Sequence, residues 1–334
     1  MEFQLQPGGV LNGQIRVPGD KSISHRSIML GALADGVTHV TGFLEGQDAL
    51  ATVAAFRAMG VVIEGPTEGR VVIHGVGLHG LQAPSQPLDL GNSGTSIRLL
   101  SGLLAGQSFA SEMSGDVSLC QRPMGRVIEP LTLMGARIDA REGGRPPLRI
   151  AAGARLEGIH YDLPMASAQV KSCILLAGLY AQGRTSVSEP APTRDHTERM
   201  LRGFGYPVSR DDGVIALEGG GALTATNIDV PADISSAAFF LVAATIATGS
   251  DVLLTHVGIN PTRIGVLNIL GLMGADITLH NEREIGGEPV ADLRVRSAPL
   301  HGIDIPPEQV PLAIDEFPAL FIAAACARGR TVLR

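Results

Sequence analysis

Three cations stand where helices open. Lys21 and Arg26 lie in the run Asp20-Lys21-Ser22-Ile23-Ser24-His25-Arg26, and Lys171 lies in Ser167-Ala168-Gln169-Val170-Lys171-Ser172. Three similar polar clusters are Gly91-Asn92-Ser93-Gly94-Thr95-Ser96, Asp233-Ile234-Ser235-Ser236 and Asp315-Glu316-Phe317-Pro318. Capping accounts for much of the polarity: Ser22, Ser93, Ser167, Asp233 and Asp315 are good N-caps, and Pro318 is tolerated in a first turn. Capping does not account for the cations. Each costs about 0.3–1 kcal/mol at the positive end of a helix dipole. A bound anion reverses that sign, because unpaired N–H groups and cations then converge on one phosphate or carboxylate. Gly94 would let the backbone approach such a ligand without a Cβ in the way. Arg122, in Gln121-Arg122-Pro123-Met124-Gly125, stands at the mouth of another helix and reads equally well as a further anion contact or a surface arginine.

The elements that must position these residues repeat along the chain. One phrase is an apolar helix, then a small residue and Gly, then a strand: Gly36, Gly106, Gly183, Gly249 and Gly329 mark it. A second phrase is interleaved at Met59-Gly60, Met134-Gly135, Phe204-Gly205 and Met273-Gly274. Gly at a helix C-terminus supplies the left-handed residue at least steric cost. Each unit of about seventy residues therefore reads as helix, strand, helix, strand-turn-strand. The first helix of a unit, such as Ala237–Ala244, is apolar all round and is expected to be buried on every side. The second carries charges, Glu198, Arg199 and Arg202 in the third unit, and is expected to face solvent. The fold class is α/β, with buried helices and outer sheets. Four units are complete, and the chain reaches Arg334 within a fifth, which reads as a fragment of a longer repeat. A break near Val230-Pro231 divides the chain into domains 20–230 and 1–19 with 231–334, although the first nineteen residues could pack with either half.

Composition narrows the function. At 334 residues the chain exceeds one ordinary core, and 45% hydrophobic residues exclude wholesale disorder. The net charge of −7 with no Lys/Arg block argues against a nucleic-acid track. Only Lys21 and Lys171 among the 26 basic residues are lysines, and both fall in the anion-facing segments. No apolar run approaches the ~20 residues of a spanning helix, and the N-terminus lacks a secretory signal. Cys120, Cys173 and Cys326 are too scattered for a disulfide framework or zinc site, and Cys173 and Cys326 read as reduced core thiols. The nine histidines show no metal-ligand spacing. A cytoplasmic protein without membrane or nucleic-acid partners follows, and a monomer is expected.

Pro18-Gly19-Asp20-Lys21-Ser22-Ile23-Ser24-His25-Arg26 and Leu90-Gly91-Asn92-Ser93-Gly94-Thr95 resemble the two hallmark segments of the 5-enolpyruvylshikimate-3-phosphate synthase family. Arg122-Pro123-Met124-Gly125, Ser167–Ser172, Arg194-Asp195-His196-Thr197-Glu198 and Asp315–Pro318 are also similar to it, in the right order along the whole chain. The resemblance implies two domains of three βαββαβ units each, six where this chain has a little over four. It implies transfer of the enolpyruvyl group of phosphoenolpyruvate to the 5-hydroxyl of shikimate 3-phosphate, with release of phosphate and no metal or organic cofactor. It places Lys21 between both substrates. Ser22, Arg26, Ser167, Ala168, Gln169 and Arg194 would hold shikimate 3-phosphate, Arg194 as the weaker match. Asn92, Gly94, Arg122 and Gln169 would bind phosphoenolpyruvate, and Asp315 would contact the 5-hydroxyl as general base.

Two departures accompany the resemblance. The family's Lys-Glu-Ser/Thr-Asp-Arg segment and its later His-Arg and Lys elements find no match up to Arg334, so this chain alone is expected to be inactive or nearly so. Leu99 stands where many glyphosate-sensitive relatives have proline, while Gly94 keeps the small residue associated with inhibitor binding, and sensitivity of the complete enzyme is the expectation. The nearest rival is UDP-N-acetylglucosamine enolpyruvyl transferase. That family has Lys-Asn at the first helix and usually a loop cysteine; here Ser22 follows Lys21 and Cys120 lies only two residues before Arg122. A non-catalytic truncated binding paralogue is the alternative from another class.

Overall fold

The computed structural model describes Gln4 and residues 8–334. Residues 1–3 and 5–7, part of the stretch in which the sequence shows no secretory signal, lie outside the described residues. Contacts divide the chain into two units: Lys21–Val230, and the N-terminal stretch up to Asp20 with Pro231–Arg334.

The helices of the first unit are α1 (Lys21–Leu33), α2 (Gln47–Ala58), α3 (Gly94–Ala105), α4 (Val117–Cys120), α5 (Gly125–Leu133), α6 (Ala168–Gly178) and α7 (His196–Gly203). The second unit carries α8 (Ile234–Ile246), α9 (Gly265–Leu272) and α10 (Phe317–Cys326). Three four-stranded sheets belong to the first unit. Val37–Thr41 pairs in parallel with Asn227–Asp229 and antiparallel with Arg70–His74, whose other neighbour is Val62–Thr67. Ser111–Ser114 stands likewise between Leu88–Asp89 and Arg145–Ile150, and Arg184–Ser188 between His160–Asp162 and Val214–Glu218. In the second unit Asp251–Gly258 pairs in parallel with Asn12–Ile15 and antiparallel with Glu288–Arg296. Because Asn227–Asp229 returns to the first sheet, with Ile228 opposite Val40, the end of the first unit covers a strand edge at its beginning.

Burial follows apolar content. In α1 every residue from Ile23 to Leu33 is buried, and α6 is buried from Val170 to Gly178. Val37–Thr41 alternates exposed and buried, the period of a sheet with one face on a core. Helices α3 and α6 approach closely through Gly102, where a Cβ would fall inside the backbone carbonyl of Cys173.

Several expectations are corrected. Helix α8 is not buried all round, since Phe239 is 66% exposed, and Phe321 and Ile322 of α10 are exposed as well. Among the described residues each of these helices buries one face. Helix α7 is amphipathic: Arg202 faces solvent, but Glu198 is buried and ion-paired to Lys171. Cys173 is buried, and burial pushes its thiol far above the usual range, whereas Cys326 is exposed. Ser93, Ser167 and Asp233 cap their helices through Ser96 N, Val170 N and Ser235 N. Ser22 does not cap, because α1 already begins at Lys21, and α10 begins two residues after Asp315. Among the described residues no helix is long and apolar enough to cross a membrane, and no group of His, Cys, Asp and Glu is placed to hold a metal.

Candidate active site

Within the first unit the openings of α1, α3 and α6 are joined by side chains. The Ser93 hydroxyl lies 2.6 Å from Ser96 Oγ, which lies 2.8 Å from Thr52 Oγ1, which lies 2.7 Å from His25 Nδ1. All four side chains are buried, so this polar chain stakes the Asn92–Gly94 turn to α2 and α1. Arg26 is buried too. Its Nε donates to Thr197 Oγ1 at 2.6 Å, Nη2 to Ser172 Oγ at 2.9 Å and Nη1 to the Ser22 carbonyl at 2.9 Å. Its guanidinium therefore knits α1 to α6 and α7. Lys21 is half-exposed, with Nζ 3.6 Å from Asp48 on α2.

Around α3 the cations converge. Arg122, between α4 and α5, donates to Asn92 Oδ1 and at 3.4 Å to Ser118 Oγ. The other end of the Asn92 amide donates to Asp116 Oδ2 at 2.7 Å, so both ends of Asn92 serve to hold Arg122 in place. Asp116 also caps α4 through Leu119 N at 2.7 Å. These donors, that backbone bond foremost, hold its carboxyl below the usual carboxylate range. A Cβ built on Gly94 would meet Arg98 Nη1 at 2.8 Å and Arg122 Nη1 at 2.9 Å, so two guanidiniums flank one point at the start of α3. Arg98 Nη1 donates to Gln169 Oε1 at 2.9 Å, and Gln169 Nε2 donates to Thr95 Oγ1 at 3.1 Å. Burial and the neighbouring Arg122 and Arg126 lower the Arg98 pKa from its ordinary value. Arg122, Arg98, Gly94 and Gln169 thus form a cationic, donor-rich cluster at a capped helix N-terminus, a setting for an anion. Ser167 and Ala168 open α6 beside Gln169 and are partly exposed.

Lys171 has a different role from the one its position suggests. Its side chain is 0% exposed, with Nζ 2.8 Å from Glu198 Oε1 and 3.1 Å from Glu189 Oε2. One turn into α6 the chain is inside the fold, so the charge is neutralised there rather than offered to a ligand. The same Nζ donates at 3.4 Å to the Thr193 carbonyl, and Thr193 Oγ1 donates to Glu189 at 2.6 Å. This cluster fixes the segment that delivers Arg194, which is partly buried.

In the second unit Asp315 is exposed just before α10. The neighbouring Glu316 is buried and accepts from Ser235 Oγ. Arg263, unremarked in the sequence, is buried among Asp20 at 3.0 Å, Asp233 at 3.1 Å and Glu316 at 3.9 Å. Burial opposes its charge, but these acids and Asp315 prevail, and its pKa lies above the ordinary value.

Sequence reasoning also missed Arg98 and Asp116. The signal for Arg98 was available: it lies four residues after Gly94, hence on the same helical face. Asp116 carried only the weak mark of an acidic residue before a short helix.

A family model described as EPSP synthase (3-phosphoshikimate 1-carboxyvinyltransferase) matches residues 5–334. The 3-phosphoshikimate 1-carboxyvinyltransferase of Methylococcus capsulatus is 70% identical over 331 residues, 99% of this chain and 76% of that relative. That of Alkalilimnicola ehrlichii is 69% identical, covering 100% of this chain and 75% of the relative. A solved structure of EPSP synthase from Acinetobacter baumannii superposes with a TM-score of 0.93 at 65% identity, over 98% of this chain and 74% of that one. The expectation of an inactive chain finds no support in these comparisons. The chain belongs to the EPSP synthase family, the 3-phosphoshikimate 1-carboxyvinyltransferases.

Proposed function

We propose that the chain joins phosphoenolpyruvate to the 5-hydroxyl of shikimate 3-phosphate by addition and elimination. The hydroxyl oxygen bonds to C2 of phosphoenolpyruvate while C3 gains a proton, giving a tetrahedral ketal phosphate. Loss of a proton from C3 and departure of phosphate restore the vinyl ether. The observation that carries the reading is the cationic cluster around Gly94, where Arg98 and Arg122 approach within 3 Å of one point beside a capped helix start.

In this reading Asn92, Gly94 and Arg122 receive phosphoenolpyruvate, with Lys21 and Gln169 shared between the substrates. Ser22, Arg26, Ser167, Ala168, Gln169 and Arg194 serve shikimate 3-phosphate. The burial of Arg26 gives it a supporting part, holding α1, α6 and α7 in place. Both substrates are polyanions, and fixed cations offset the repulsion that keeps them apart in water while setting the attack geometry. Asp315 is the base for the 5-hydroxyl, a poor nucleophile near neutrality, and base assistance supplies about 10²–10⁴-fold. The residues 20–230 make the shikimate-phosphate-binding domain, 1–19 and 231–334 belong to a second domain, and the protein works as a cytoplasmic monomer. Inhibition by glyphosate accompanies the reading, because Gly94 keeps the small residue associated with inhibitor binding.

The test is an assay of phosphate release. Release is expected only when phosphoenolpyruvate and shikimate 3-phosphate are both present. Release with UDP-N-acetylglucosamine replacing shikimate 3-phosphate would overturn the reading in favour of the rival transferase.

A further inference from the structure

We propose that Arg98 is a positioning residue that sets the orientation of the Gln169 side-chain amide, so that Gln169 meets the substrates as a donor. The proposal rests on the substrate reading above and extends it to a residue outside the recognised set.

A glutamine amide has an accepting and a donating end, and its orientation is decided by its neighbours. Guanidinium groups only donate. With Arg98 Nη1 2.9 Å away, the end of Gln169 facing Arg98 must be the oxygen. The NH₂ group is thereby turned to the other side, where one of its hydrogens meets Thr95 Oγ1 at 3.1 Å. The second hydrogen remains for a ligand oxygen. A flipped amide would direct its oxygen at an anionic substrate and its NH₂ group at a cation.

Arg98 is itself held for this task. Nη1 also reaches the Gly94 carbonyl one turn back at 3.3 Å, and the side chain is half-buried. No carboxylate pairs with it among the described residues; its charged neighbours are Arg122 and Arg126, which oppose its charge. An arginine kept among like charges without an acid breaks a local rule, and such breaks concentrate at functional sites. The bond spans α3 and α6, the pair packed through Gly102, so its two ends have a rigid base.

The test is a double-mutant cycle on shikimate 3-phosphate affinity, measured by calorimetry with wild type, Arg98→Met, Gln169→Ala and the double variant. If Arg98 acts through Gln169, each single substitution weakens binding about tenfold and the double variant falls within about twofold of Gln169→Ala. Arg98→Lys, which keeps a donor, stays within about threefold of wild type. Independent effects multiplying to about 100-fold, or an Arg98→Met affinity within about twofold of wild type, would overturn the proposal. A second measurement needs no ligand: the Gln169 side-chain amide NMR signals should move in Arg98→Met towards those of a solvated glutamine, and unmoved signals would overturn the proposal as well. Failure of the folded wild type to bind shikimate 3-phosphate would instead sink the substrate reading, while the NMR comparison still decides the Arg98–Gln169 bond.

Discussion

Lys171 Nζ lies 2.8 Å from Glu198 Oε1 with both side chains out of solvent, and this pair, with Glu189, joins α6 to α7 and to the segment before Arg194. Removing one member of such a group strands the others without water. Lys171→Met should therefore lower stability by about 3–5 kcal/mol, read from urea denaturation midpoints. Adding Glu198→Gln to Lys171→Met should recover part of that loss, because one stranded charge disappears. A Lys171→Met protein as stable as wild type would show that the buried cluster contributes nothing.

Gly102 makes a different kind of demand. A methyl group there overlaps the Cys173 carbonyl, which is backbone and cannot rotate away. Gly102→Ala should force α3 and α6 apart and cost about 1–3 kcal/mol in the same measurement. The neighbouring Leu103, already in the core, offers no space to absorb the shift.

At Gly94 the obstruction falls on side-chain ends. The added Cβ would meet the tips of Arg98 and Arg122, which can swing aside, so Gly94→Ala should fold with near wild-type stability. Displacing both guanidiniums misplaces the anion contacts, and KM for phosphoenolpyruvate should rise by about 10- to 100-fold. An unchanged KM would remove this cationic cluster from the phosphoenolpyruvate site.

Asp116 gives a pH signature. Its carboxyl titrates below the ordinary 3.8 in the folded state, chiefly through the Leu119 N–H and then the Asn92 amide. A depressed folded pKa means that the contribution to stability is present above the unfolded value and is lost as pH falls through the folded one. The stability difference between wild type and Asp116→Ala should accordingly be largest near neutrality and shrink between about pH 5 and 2. A difference that stays constant over that interval would mean that the Asp116 charge plays no part.

Taken alone, the sequence determined the α/β class and the family, because these rest on local pattern and on motifs such as Asp20–Arg26 and Leu90–Thr95. Ser93, Ser167 and Asp233 were legible as caps for the same reason: a cap acts on N–H groups two or three residues away. Only tertiary structure decided what each charge does. Lys171 and Lys21 look alike as cations near a helix start, yet one is neutralised among buried glutamates and the other stays half-exposed beside Asp48. Arg98 gave no sign of its partner, because Gln169 lies 71 residues further along the chain. Whether α8 and α10 are buried on one face or all round depended on what packs against them, which no helix encodes in its own residues. Short-range capping and periodicity are written in neighbouring residues, whereas charge pairing and burial depend on distant segments that only the fold brings together.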